Sequence, residues 1–169
     1  MISAADGNTA PEEAVVRLLK DNGMTLAAAE SCTGGLLSAR IVNVPGASEV
    51  FKAGLVTYSN KAKRKLANVK KKTLKEYGAV SGKTAKEMAK GAARIAGTDV
   101  AVSTTGIAGP GGGTPEKPVG LVYICVTVKG KTYVKECHFS GDREMIRQST
   151  VEEALTMLST AVTDAAGKQ

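Results

Sequence analysis

The stretch "DVAVSTTG", Asp99–Gly106, is nearly all apolar and lacks the polar–apolar alternation of a strand with one face in water. Such a run belongs to a sheet covered on both faces. "MTLAAAE", Met24–Glu30, is a second short apolar strand, and helical segments fall around the two. "PEEAVVRLLKDNG" offers Pro11, Glu12 and Glu13 to a first helical turn and stops at Gly23. "TGGLLSARIVNVPGAS" reads as a helix from Thr33 to the Pro45–Gly46 turn, and "SGKTAKEMAKGAARIAG" as one capped by Ser81 and ended by Gly97. "FKAGLVTYS" is a strand leading into a basic helical stretch. "LVYICVTVKGKTYVKECHFSG" alternates on both sides of Lys129–Gly130 as a hairpin does, and a last helix starts near Asp142. Helices and strands alternate first and a hairpin follows, which predicts an α/β fold: three α/β/α layers around a mixed β-sheet. Residues 1–169 are expected to form a single domain, since no repeat or long linker divides them and the length suffices for one core.

No segment approaches the ~18–20 apolar residues of a membrane helix, so no membrane partner is expected. The opening "MISAADGNTAPEE" has neither a basic nor an apolar export region. Cys32, Cys125 and Cys137 are an odd set without metal-ligand spacing. That pattern disfavours a disulfide scaffold and a zinc site, and it points to a reducing cytoplasm; no cofactor is expected. The net charge is +7, and much of the excess sits in "NKAKRKLANVKKKTLKEYG". Only 4% of residues are aromatic and none interleaves with these lysines as a stacking platform would. The run therefore reads as a solvated helix face, and nucleic acid is not the expected partner.

"AAAESCTGG", Ala27–Gly35, places Ser31 between an apolar strand and a helix start. The amides of Thr33, Gly34 and Gly35 are candidates to face a developing oxyanion, with the glycines permitting close approach. The plainer reading is that Ser31 caps the helix. Cys32 is the rival nucleophile, though a free cysteine next to a strand is commonly buried packing. A base for Ser31 is not obvious. His138 is the one histidine, Gly34 stands where an SxxK lysine would be, and Ala62 stands where Y-x-x-x-K would need its lysine. "TYSNKAKRK" instead offers Tyr58 with Lys61 and Lys63 close behind, and clustered cations lower one another's pKa. "GAVSGKT", Gly78–Thr84, is a false phosphate loop, because only three residues separate its glycines and no strand precedes it. "GIAGPGGG" follows a strand and is long enough, with its prolines, to line a site.

Taken in order, "AESCTGG", "TYSN" with Lys63, "GAVS", "TGIAGPGGG", "KPVGLVY" and "GDR" with Arg147 resemble the CinA C-terminal domain family. Stand-alone members of that family are nicotinamide-nucleotide amidohydrolases. The resemblance covers about Ala27 to Arg147 and implies hydrolysis of nicotinamide mononucleotide to nicotinate mononucleotide and ammonia. It maps the nucleophile onto Ser31 and the activating pair onto Tyr58 and Lys63, with Lys61 an adjacent second candidate. Thr33, Gly34 and Gly35 would hold the oxyanion. Thr105, Gly106 and Gly109 of the glycine loop, with Arg143 and Arg147, would bind substrate and its phosphate. No metal is required, and a homo-oligomer is expected. Relatives often carry an extra N-terminal domain, whose chemistry is not expected in a chain that starts at its own Met1. The alternative reading is a competence- or DNA-damage-associated accessory protein that binds nucleic acid or nucleotide without turnover.

Overall fold

The structure is a computed structural model that describes residues 9–167, so the reading of the first residues as free of an export signal lies outside it. Five strands form one sheet in the order β2-β1-β3-β4-β5: β1 Leu26–Glu30, β2 Phe51–Val56, β3 Val100–Gly106, β4 Leu121–Val128 and β5 Lys131–His138. β1 runs parallel to both β2 and β3, while β4 and β5 are antiparallel additions, so the sheet is mixed. Successive strand residues face opposite layers. Leu26 and Ala28 of β1 join the larger core, Ala27 and Ala29 the smaller one, and the strand is buried throughout.

Helices α1 (Pro11–Asp21), α2 (Leu36–Val42) and α6 (Arg143–Ala166) cover one face. Their large side chains, among them Leu19, Leu37, Ile41, Leu155 and Leu158, fill that core. Helices α3 (Asn60–Ala67), α4 (Lys71–Tyr77) and α5 (Gly82–Ala96) cover the other. There small residues meet: Ala85, Ala89 and Ala92 of α5 lie over Ala27, Ala29, Ala101 and Cys125 of the sheet. A side chain at Gly91 would collide with the Ala67 carbonyl, so glycine there lets α5 lie close against α3.

The three-layer fold is the expected one, as are the Ser81 cap and Gly97 stop of α5 and the hairpin turn at Lys129–Gly130. Two boundaries differ. The basic stretch is broken into α3 and α4 at Asn68, which takes a left-handed backbone. The helix expected from Thr33 begins only at Leu36, because Gly34 (φ +58°) and Gly35 (φ +100°) are both left-handed and cannot continue a right-handed helix. Chain order places β2 and β3 on opposite sides of β1, so the sheet's switch point lies at the carboxyl ends of β1 and β3. Open α/β sheets bind ligands there.

Candidate active site

Ser31 follows β1 at that switch point, its amide bonded to the Thr104 carbonyl of β3 at 2.9 Å. Its hydroxyl caps no helix. Lys63 Nζ donates to Ser31 Oγ at 2.8 Å and to the Thr57 carbonyl at 2.8 Å. α3 delivers this contact: Ser59 caps its first turn by accepting from the Ala62 amide, and Lys63 and Ala67 form its buried side. Lys63 is only 2% exposed and Ser31 8%. Burial lowers the Lys63 pKa from 10.5 to about 8, against a small opposing pull from Cys32. The cation cluster expected to do this is not the cause, because its other members stand in solvent. Lys61 among them is exposed and does not reach Ser31.

The cap of α2 comes from Glu30, which the sequence reading passed over. Glu30 is fully buried and accepts five hydrogen bonds: from Thr33 Oγ1, from the amides of Gly35, Leu37 and Ser38, and from Ser38 Oγ. Adjacent strand positions face opposite layers, so Glu30 organises the start of α2 while Ser31 meets Lys63 of α3. The signal was present in the sequence: an acid that ends an apolar strand must find donors, and Thr33, Gly35, Leu37 and Ser38 supply them.

Glu30 also changes the expected oxyanion donors. The Gly35 amide is taken by Glu30 and the Gly34 amide by the Ser31 carbonyl at 3.1 Å. Among the described residues, the amides of Cys32 and Thr33 carry no intramolecular hydrogen bond. Arg147 holds the same turn from the other side, donating from Nε to the Cys32 carbonyl (3.1 Å) and from Nη2 to the Thr33 carbonyl (2.8 Å). The carbonyl of Cys32 and the N–H of Thr33 belong to one trans peptide and point in opposite directions. Arg147 therefore fixes where the Thr33 N–H points, and its two bonds lie on backbone oxygen.

Tyr58 sits one residue beyond Thr57, is 61% exposed, and accepts from Arg143 Nη2 at 2.8 Å, with no hydrogen bond to Ser31 or Lys63. Arg143 Nη1 also donates to the Gly109 carbonyl at 2.7 Å, which ties Tyr58, the glycine loop and the start of α6 together. Thr105 Oγ1 is committed to the Ala79 carbonyl at 2.8 Å. A side chain at Gly106 would meet Val122 at 2.6 Å, so that glycine serves sheet packing. The 77–80 segment before α5 is held by Lys117, whose Nζ donates to the carbonyls of Tyr77 and Val80 at 2.7 Å each. Two features of the sequence thus come into contact, "GAVS" and "KPVG". Cys32 is buried and that burial pushes its thiol up to about 11, which disfavours the reactive thiolate. His138 is exposed on edge strand β5, three strands from β1, and pairs with Glu136 at 2.8 Å.

The chain that carries this buried serine–lysine pair is similar to known proteins. A "Putative competence-damage inducible protein" of Clostridium novyi is 58% identical over 154 residues, covering 91% of this chain and 37% of its own length. A "CinA-like protein" of Kosmotoga olearia is 54% identical over 156 residues, 92% of this chain and 38% of that protein. The chain thus spans little more than a third of the curated relatives it matches. Among solved structures, the competence/damage inducible protein CihA of Agrobacterium tumefaciens superposes with a TM-score of 0.84 at 40% identity. It covers 92% of this chain and 97% of that one. A CinA superfamily protein of Klebsiella pneumoniae gives 0.88 at 33% identity, over 91% and 96%. The model of the CinA C-terminal domain matches residues 8–162, and the chain belongs to that family.

Proposed function

We propose that the protein is an amidohydrolase that deamidates nicotinamide mononucleotide, with Ser31 as nucleophile and Lys63 as its base. The contact that carries the reading is Lys63 Nζ to Ser31 Oγ, 2.8 Å inside a buried environment. A serine hydroxyl is a weak nucleophile until a neighbour accepts its proton, and a desolvated lysine is a suitable neighbour. At pH 7 a lysine of pKa 10.5 is neutral in about one molecule in 3,000. At about 8, where burial holds Lys63, it is neutral in roughly one in ten.

Ser31 Oγ attacks the carboxamide carbon and its proton passes to Lys63 Nζ. The oxyanion lies against the free amides of Cys32 and Thr33, of which the Thr33 amide is aimed by Arg147. Lys63 then protonates the departing nitrogen, the C–N bond breaks, and ammonia leaves an acyl-serine. Water attacks the acyl carbon and gives a proton to Lys63, which returns it to Ser31 Oγ as the carboxylate is released. Arg143, which bonds Tyr58 and the glycine loop, is the exposed cation we assign to the substrate phosphate. The substrate's identity rests on the motifs shared with the family. Ammonia release from nicotinamide mononucleotide tests the reading: Ser31→Ala is expected to abolish turnover and Cys32→Ala to keep most of it. Equal turnover by wild type and Ser31→Ala excludes the mechanism.

A further inference from the structure

The fold does something with the lysine excess that composition could not reveal. Residues 60–97, the layer of α3, α4 and α5, hold 12 of the 23 Lys and Arg residues but only 2 of the 16 acids, Glu76 and Glu87. Their net charge is +10 (12 − 2), and the rest of the chain sums to −3 (11 − 14). Apart from the buried Lys63, all of these cations are exposed. Among the described residues none of them is in an ion pair, whereas Lys20 and Arg40 on the opposite layer are neutralised by Glu49, Glu12 and Glu152. Glu87 is no local counter-ion either, since its oxygens are taken by the Lys70 amide and Thr73 Oγ1.

The unpaired charge also lines a continuous furrow. A groove of about 600 Å³ beside Lys61 and Arg64 shares Asn68 with a second of about 370 Å³. That one shares Lys90 and Arg94 with a third of about 510 Å³, which ends at the β4–β5 turn. Lys83, Lys86, Lys90 and Arg94 recur at helical spacing along α5. At ~1.5 Å per residue they span about 16 Å, or roughly five 3.4 Å steps of one nucleic-acid strand.

We propose that this layer docks on the phosphate backbone of double-stranded nucleic acid without reading sequence. Four observations select that partner. The charges are spread along a furrow rather than converged on one point, which fits a polyanion better than a single phosphate. Tyr77 is the layer's one partly exposed aromatic, so single-strand stacking has no platform. Its large exposed apolar side chains besides Tyr77 are Leu66 and Ile95, too few to insert into a bilayer. A duplex presents one charge per ~1.7 Å of axis, about twice the density of a single strand.

Fluorescence anisotropy with a labelled random-sequence DNA duplex of about 24 base pairs tests this. With about four to six phosphates neutralised, affinity falls roughly two to three orders of magnitude between about 50 and 200 mM salt. Lys86→Gln/Lys90→Gln/Arg94→Gln is expected to flatten the log–log salt slope by about 3. Lys65→Gln/Lys71→Gln, on α3 and α4, flattens it by about 2. Arg17→Gln on α1 and Ser31→Ala leave it unchanged, which separates this surface from the proposed catalytic site. Circular dichroism confirms that each variant is folded. The proposal is overturned if no saturable duplex binding occurs at the low salt, or if neither multiple variant changes the slope. Tighter binding to the matching single strand, or to phosphatidylserine-containing vesicles, also overturns it and assigns the face to that partner.

Discussion

Replacing Lys63 by methionine separates the electrostatics of the site from its chemistry. In the folded protein burial holds Lys63 near pKa 8, against 10.5 for the exposed side chain. Below pH 8 both folded and unfolded chains carry the proton, and folding bears the full penalty of burying an ammonium. Between pH 8 and 10.5 the unfolded chain still binds the proton and the folded one does not, so stability rises with pH in that window. The gap of 2.5 (10.5 − 8) corresponds to about 3 kcal/mol, and Lys63→Met removes this dependence and nothing else that titrates. At neutral pH the substitution relieves that penalty but strips the Thr57 carbonyl of its buried donor, worth about 1–3 kcal/mol. The variant should therefore be as stable as wild type, or up to about 2 kcal/mol more stable, despite losing two hydrogen bonds. The assay is urea unfolding of both proteins at several pH values from 7 to 10.5. Wild type should gain about 3 kcal/mol on the variant across that range. A difference that does not change with pH, or a wild type that loses ground to the variant as pH rises, refutes the placement of an ammonium in the dry interior beside Ser31.

The same titration shapes the reaction. If neutral Lys63 is the base, kcat/KM rises tenfold per pH unit below about 8 and levels above it, as a pH–rate profile from 6 to 9.5 will show. Glu30→Gln swaps one acceptor oxygen for a donor nitrogen in a buried cluster of five donors, and unfolding should show a loss of about 2–4 kcal/mol. Arg147→Lys keeps the charge but loses the two-pronged grip on Cys32 and Thr33. We expect kcat to fall about 10- to 100-fold with KM little changed, because the free Thr33 amide loses its aim.

The order of elements could be read directly because each depends on neighbours in the chain. Val100 to Thr104 announce a strand covered on both faces, and Ser81 and Gly97 mark the ends of α5 with groups that act within one turn. Ser31 and Lys63 could be nominated by residue type and family pattern. The choice of Lys63 over Lys61 is geometric, since two residues apart on a helix point about 200° apart and only one can face the core. The source of the lowered Lys63 pKa was hidden for the same reason. Cations in a row suggest mutual repulsion, but on α3 only Lys63 turns inward, so desolvation acts on it alone.

The partners of Arg147 and Glu30 were hidden for a different reason, although an acid ending an apolar strand already called for donors. An arginine close to a glycine loop reads as a phosphate ligand because nothing local says that its partners are carbonyls 114 and 115 residues away. Glu30 reads as the last letter of a strand until α2 is seen to start over it. Together they clamp the turn 31–35 from two sides: Glu30 takes N–H groups, Arg147 takes carbonyls, and the amides that neither engages follow directly after Ser31. Within that clamp Gly34 and Gly35 both take a left-handed backbone, which glycine adopts without the steric cost a side chain brings. On this account the pair of glycines is there to let a buried anion and a half-buried cation hold one short loop open toward substrate. Alanine at Gly35 should then lower activity through the turn even where the fold survives.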